Sequence, residues 1–246
     1  MNRTKREQAA RFLLKEVARA CKEFDLLAQG DRVAVAVSGG KDSRTLLDLL
    51  LRYRGRVPFD YDLVALHVVG TSAGLADLSG TLRPWFEELG IEYHFVPLEL
   101  PPGEPLPLDC FRCAWNRRKA LFLAADRLGC NKLALGHHAD DAAVTALLNL
   151  LFAARLETLE PKVEFFGGQI TVIRPLIYIA AKDLAYYARL SGFSPPPLCP
   201  TAADSRRRQI EAFLRSLGPH QDRVRANIWR AARKVRADKI EKSRPI

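Results

Sequence analysis

The amino-acid sequence predicts an α/β fold, a parallel twisted sheet with helices on both faces. Three observations carry that expectation. Strand-like runs alternate with helix-like runs along most of the 246 residues, the pattern of a parallel sheet joined by helical crossovers. The apolar run Val33-Ala34-Val35-Ala36-Val37 ends in a glycine pair and leads straight into helical periodicity. The chain is 48% hydrophobic, enough at this length to bury one sizeable core.

Phe12, Leu13, Val17, Ala20, Cys21 and Phe24 form a helical stripe, which predicts an opening helix over 4–27. Residues 32–37 read as a strand, 43–54 as a helix and 62–69 as a strand. A loop and helix then run to Glu88, and 91–97 is the next strand. The proline-rich stretch 98–109 is a loop, 112–128 a helix and 132–136 a short strand. Residues 140–154 read as a helix with Val144, Leu147, Leu148 and Leu151 on one face. Residues 163–173, turning at Gly167-Gly168, predict a hairpin at the sheet edge. Helices over 183–190, over 204–217 and after Pro219 finish the chain, with no internal repeat.

The net charge is +10, and residues 202–246 hold 13 Lys or Arg against 5 Asp or Glu. A segment so basic suits a polyanion, because neutralising phosphates releases counterions; a solvated helical face is the plainer reading. No run reaches the 18 or more apolar residues of a membrane span. The basic N-terminus leads into an amphipathic helix rather than a signal-peptide core, so a soluble, cytoplasmic protein is expected. Five cysteines without an export signal favour metal or thiol chemistry over a disulfide framework.

The most informative segment is Ser38-Gly39-Gly40-Lys41-Asp42-Ser43. The first amides of a helix lack intrahelical acceptors and the helix dipole adds positive potential, so an anion fits there. Gly39 and Gly40 admit phosphate oxygens close to the backbone. Ser38 and Ser43 offer hydroxyls, Lys41 a point charge, and Asp42 a magnesium ligand or a helix cap. The spacing is not that of the Walker loop. A sharp strand-to-helix turn with ordinary capping explains a glycine pair, but not the complete string.

That string resembles the phosphate loop of the PP-loop, or N-type, ATP pyrophosphatases, which cleave ATP to AMP and pyrophosphate. The resemblance implies an adenine-nucleotide α-hydrolase-like fold, with ATP at the carboxyl ends of the strands and His67 lining the adenine. Cys110-Phe-Arg-Cys113 has several readings by itself: zinc, redox dithiol, iron–sulfur or incidental. Together, Cys110-Phe-Arg-Cys113-Ala-Trp-Asn-Arg117-Arg118, Gly136-His137-His138-Ala-Asp140-Asp141, Ile173-Arg174-Pro175-Leu176 and Cys199 resemble the tRNA 2-thiocytidine synthetase branch. The resemblance spans roughly residues 10–217 and implies that Cys110, Cys113 and Cys199 hold a [4Fe-4S] cluster with one iron lacking a protein ligand. Cys21 and Cys130 read as core residues.

By the same resemblance Gly136 and His137 lie at the nucleotide, and Asp141 with Asp140 is a candidate for metal binding or proton handling. A helix N-cap explains one aspartate equally well. A zinc site among the two histidines and two aspartates is disfavoured, because adjacent side chains diverge. Arg117 and Arg118 are candidates for stabilising oxyanion or pyrophosphate charge, or for binding tRNA phosphate. The implied chemistry is adenylation of a pyrimidine carbonyl by ATP and Mg²⁺, then sulfur replacing AMP, on cytidine in a tRNA anticodon loop. A sulfur donor (a cysteine desulfurase or inorganic sulfide) is implied, and a homodimer is left open. Residues 1–200 are the expected ATPase domain and 201–246 a basic helical extension. The rivals are a PP-loop enzyme using zinc or a cysteine persulfide on another base or a small molecule, adenylation with an amine nucleophile, and a non-enzymatic nucleotide- or RNA-binding module.

Overall fold

The computed structural model describes residues 2–70, 76–193 and 206–242. Helix α1 (Asn2–Phe24) precedes β1 (Arg32–Ala36), α2 (Lys41–Arg54) and β2 (Asp62–Val69). Then come α3 (Ser79–Leu89), β3 (Glu92–Pro97), α4 (Cys110–Arg127), β4 (Lys132–Ala134) and α5 (Ala139–Ala153). Strands β5 (Lys162–Phe165) and β6 (Ile170–Ile173) and helices α6 (Ala181–Leu190), α7 (Arg206–Ser216) and α8 (Gln221–Lys242) follow.

The six strands lie in the order β3-β2-β1-β4-β6-β5. All neighbours pair in parallel except β5, which runs antiparallel along β6 at the edge. The α/β expectation, including the edge hairpin, is met. Both faces are buried, and the two-residue period of a strand divides its side chains between them. Val33, Val35, Leu63 and Ala65 pack with α1, α2 and α6, while Ala34, Val64, Leu66 and Val68 pack with α4. A smaller core joins Val144 of α5 to Ile210 and Leu214 of α7, with Val224 and Ile228 of α8 against it.

The topology positions the site. From β1 the chain winds outward through β2 and β3, then crosses back to place β4 on the other side of β1. The loops after the neighbouring strands β1 and β4 therefore lie side by side at the carboxyl ends of the strands, where open α/β sheets form their binding crevice. None of the described helices is long and apolar enough to cross a membrane.

Several details differ from expectation. Phe12 is 53% exposed; the buried stripe of α1 is Ala10, Leu13, Leu14, Val17, Ala20 and Cys21, and position 12 falls off its i, i+3, i+4 rhythm. Leu151 is also exposed, since α7 and α8 cover α5 at Val144 rather than at its far end. Helix α4 starts at Cys110, not 112, because the Asp109 carboxylate accepts the Arg112 amide at 2.7 Å and caps the helix there. The cysteine pair thus lies inside the first turn. Cys199 and the expected boundary at 200/201 lie outside the described residues.

Candidate active site

The glycine loop closes on itself before it meets anything else. The Ser43 hydroxyl donates to the Gly40 carbonyl at 2.9 Å and accepts from the Ser38 amide at 3.1 Å. The Ser38 hydroxyl is 3.2 Å from that of Ser43 and accepts the Gly40 amide at 3.4 Å. Gly40 is the N-cap without a side-chain cap, and the first turn-closing bond runs from the Arg44 amide to the Gly40 carbonyl at 3.1 Å. The amides of Lys41, Asp42 and Ser43 precede that bond, so they are the helix's orphan donors. Gly39 has φ +84°, the left-handed region that favours glycine, and a Cβ there would also press on the tip of the Leu78 side chain. The Lys41 ammonium pairs with the Asp42 carboxylate at 2.7 and 2.8 Å.

The loop after β4 meets this turn directly. A Cβ on Gly136 would stand 3.2 Å from the Ser43 nitrogen and 3.3 Å from the Asp42 carbonyl carbon. Gly136 is thus where β4 packs against the start of α2. His138 caps α5 in a capping box with Asp141, whose carboxylate accepts the His138 amide at 2.9 Å. The expectation of an aspartate N-cap is corrected: the aspartate is at N3, because the strand ends one turn before it. The His138 Nε2 lies 3.3 Å from Asp141 and 4.0 Å from Asp42, and its Nδ1 lies 3.8 Å from Asp140. His138 therefore links both loops, while His137 turns to Arg174, whose Nε is 3.4 Å from its Nδ1. The expected divergence holds for His137 and fails for His138. Among the described residues no group of three or more His, Cys, Asp or Glu side chains is arranged to hold a metal ion.

The electrostatics keep both histidines neutral. Burial, then the Arg174 charge, pushes His137 down to about 4. Burial also lowers His138, against the pull of Asp141 and Asp42. Burial works against the Asp141 carboxylate, yet His138 and Arg207 hold its pKa below the ordinary value.

The two aspartates differ in their ties. Asp140 accepts the Ala181 amide of α6 at 2.7 Å and pairs with Arg225 of α8, both carboxylate oxygens being engaged. It binds three helices together. Asp141 faces His138 and pairs with Arg207 of α7. The triple-arginine run, read from the sequence as a polyanion segment, thus sends Arg207 to the crevice. Neither Arg207 nor Arg225 was singled out individually, because nothing local marks an arginine whose carboxylate is 66 or 85 positions away.

His67 is buried at the end of β2, with its Nδ1 2.7 Å from the Val37 carbonyl; since a carbonyl only accepts, Nδ1 carries the proton. Burial lowers its pKa, and Arg117 of α4 is near enough to add to that effect. Arg118, the next residue, is near enough to help depress Arg174 to about 10, after burial. Helix α4 therefore presents its opening turns to both sides of the crevice, with Cys110 exposed and Cys113 half-buried.

No protein-family model matches the chain. The tRNA-cytidine(32) 2-sulfurtransferase of Anaeromyxobacter dehalogenans (strain 2CP-C) is 38% identical over 231 residues, covering 90% of this chain and 78% of that protein. The chain belongs to the tRNA-cytidine(32) 2-sulfurtransferase family. The protein of that name from Polaromonas naphthalenivorans (strain CJ2) is 38% identical over 213 residues, 82% of this chain and 66% of that one. In fold, the chain is similar to the U34-tRNA thiolase NcsA from Methanococcus maripaludis with its [4Fe-4S] cluster: TM-score 0.76, 24% identity, covering 93% of this chain and 80% of that one. The family resemblance drawn from the motifs around Ser38, Cys110, Gly136 and Arg174 is borne out.

Proposed function

We propose that this chain is an ATP-dependent tRNA thiolase that adenylates cytidine 32 and replaces its carbonyl oxygen with sulfur. Family membership supplies the activity. The observation that supports its placement is the meeting of the glycine loop with Gly136 and His138 at the switch point, with Arg117 and Arg118 of the cysteine-bearing helix near His67 and Arg174.

In this reading the orphan amides of α2 and Lys41 bind the departing pyrophosphate, with Ser38 and Ser43 shaping the loop. Asp42 and Asp141, both near His138, would hold Mg²⁺ once ATP is bound. Asp140 holds α5 against α6 and α8 rather than touching substrate, and Gly136 and His137 form the crevice floor and wall. His67 lines the adenine end, and Arg117 offers its charge to the phosphates. The carbonyl oxygen at C2 of the cytosine attacks the α-phosphorus and the bond to pyrophosphate breaks. Hydrosulfide then attacks C2, AMP leaves with the original oxygen, and one proton is released.

The cysteine pair fits a cluster as far as it is described: two thiols one helical turn apart, one exposed and one half-buried, on a helix N-terminus. Cys110 and Cys113, with Cys199, would hold a [4Fe-4S] cluster whose open iron would carry the sulfur. The sulfur comes from a cysteine desulfurase or inorganic sulfide. Residues 1–200 form the ATPase domain and 201–246 a basic extension that binds tRNA. The protein works in the cytoplasm, singly or as a homodimer.

The test is anaerobic incubation of the protein with ATP, Mg²⁺, sulfide and unmodified tRNA, reading 2-thiocytidine by nucleoside mass spectrometry and AMP by chromatography. Thiolation and tRNA-dependent AMP release, both lost in Cys113→Ala, are expected, together with about four irons per chain. Absence of 2-thiocytidine from a protein that holds its iron overturns the reading. Thiolation by an iron-free, colourless protein replaces the cluster with a cysteine persulfide.

A further inference from the structure

Phe111, Trp115 and Arg118 fall on one stripe of α4, and Phe122 continues it, at i, i+4, i+7 and i+11. The far end of this stripe is covered. Phe122 is buried, with its ring 5.0 Å from that of Phe165 and 5.3 Å from that of Phe166 on the edge hairpin. The near end is bare: Phe111 is 74% and Trp115 43% exposed. Arg112 and Lys119 flank the indole, with their charges 5.3 and 5.8 Å from its centroid. An aromatic surface of this size at water, bordered by cations, is costly unless something stacks on it.

The surroundings limit what that is. Every charged side chain of α4 between Cys110 and Lys119 is basic: Arg112, Arg117, Arg118 and Lys119. Arg112 is neutralised by Glu104, but Arg118 leads on to Arg174 and thence to His137 at the crevice. Two exposed rings and a line of cations ending at a nucleotide crevice match the way single-stranded nucleic acid is held, bases on aromatic faces and phosphates on arginines.

We propose that Phe111 and Trp115, with Arg118 and Arg174, form a stacking platform for the unpaired loop nucleotides that flank the target base. This rests on the tRNA thiolase reading and deepens it. The platform holds the neighbours of the target while the target base itself turns into the crevice. Because the rings are exposed, removing them leaves the core intact.

The experiment measures binding of tRNA, of its isolated anticodon stem–loop and of the same stem closed as a blunt duplex, by fluorescence anisotropy, for wild type, Trp115→Ala, Trp115→Phe and Phe111→Ala. Affinity for tRNA and for the stem–loop should fall about tenfold in Trp115→Ala and Phe111→Ala, and recover in Trp115→Phe. Binding of the blunt duplex and of ATP should not change. Equal tRNA affinity in Trp115→Ala and wild type, with thiolation retained, overturns the platform and leaves the thiolase reading standing. Unchanged tRNA affinity with a shift of Phe111→Ala from dimer to monomer on sedimentation overturns it in favour of an interface between copies. Wild-type protein that neither binds nor thiolates tRNA overturns both readings together.

Discussion

Gly136 and Ser43 lie so close that a Cβ on the glycine would stand 3.2 Å from the serine's backbone nitrogen. That contact is backbone against backbone, so no side chain can swing aside. Even a Cβ at position 136 would force the end of β4 and the start of α2 apart by a few tenths of an ångström. Gly136→Val must push the orphan amides of α2 out of line. Since a misplacement of about 1 Å can cost a hundredfold in rate, AMP release should fall by roughly ten- to a hundredfold. Melting temperature should drop as well, because Gly136 is half-buried and Ser43 buried where the two backbones meet. Unchanged AMP release in a folded Gly136→Val protein would show that the β4 loop does not position the phosphate site.

Lys41 separates binding chemistry from stability. Its ammonium pairs with Asp42, and the two side chains are 37% and 29% exposed, so water screens the pair and about 0–1 kcal/mol of stability rests on it. Its charge on the departing pyrophosphate is worth more, since one such electrostatic contact carries about a hundred- to a thousandfold in turnover. Lys41→Ala should therefore melt near wild type while releasing pyrophosphate at least a hundredfold more slowly in a coupled phosphate assay. A variant that unfolds, or one that turns over normally, contradicts the assignment.

Acid should weaken the fold in a defined window. The native His137 accepts a proton only near about 4, whereas the ordinary value is 6.5. Between those values the unfolded chain binds more protons than the native one, so stability falls as pH falls. The depressed His138 adds to this loss, and Asp141, held below its ordinary 3.8, extends it further into acid. Urea denaturation at a series of pH values should show full stability near 7 and a decline from about 6.5 towards 4. His137→Gln should flatten that upper part of the curve. A pH-independent midpoint from 7 to 4 would mean that the histidines are not buried neutral.

The sheet was readable because each strand and helix carries its own period, and the loop because a rare string follows a buried strand directly. What the sequence hid was long-range pairing. Asp140 and Asp141 are neighbours of one type, yet one joins α6 and α8 and the other faces the crevice. Only the fold separates them, since successive helical positions point about 100° apart. The start of α4 was misjudged because Asp109 as a cap looks like any loop aspartate until Arg112 donates to it. Phe12 was misassigned because counting apolar residues does not say which lie off the buried stripe.

Arg207 and Asp141 offer the sharpest test of how the C-terminal helices serve the crevice. They pair across 66 positions of sequence, and Asp141 also accepts the His138 amide and faces its ring. Arg207 is 41% exposed on its side chain and Asp141 only 15%, so solvent screens one end of the pair and its coupling should be modest. A double-mutant cycle of Arg207→Ala and Asp141→Asn by urea denaturation should give a coupling of about 0.5–1 kcal/mol, shrinking at high salt. The activity cycle should behave differently. Asp141→Asn should abolish most AMP release whether or not Arg207 is present, whereas Arg207→Ala alone should lower it by roughly tenfold, because a released Asp141 is no longer held in place beside His138. Strictly additive effects on both stability and AMP release would show that α7 touches the crevice without helping to organise it.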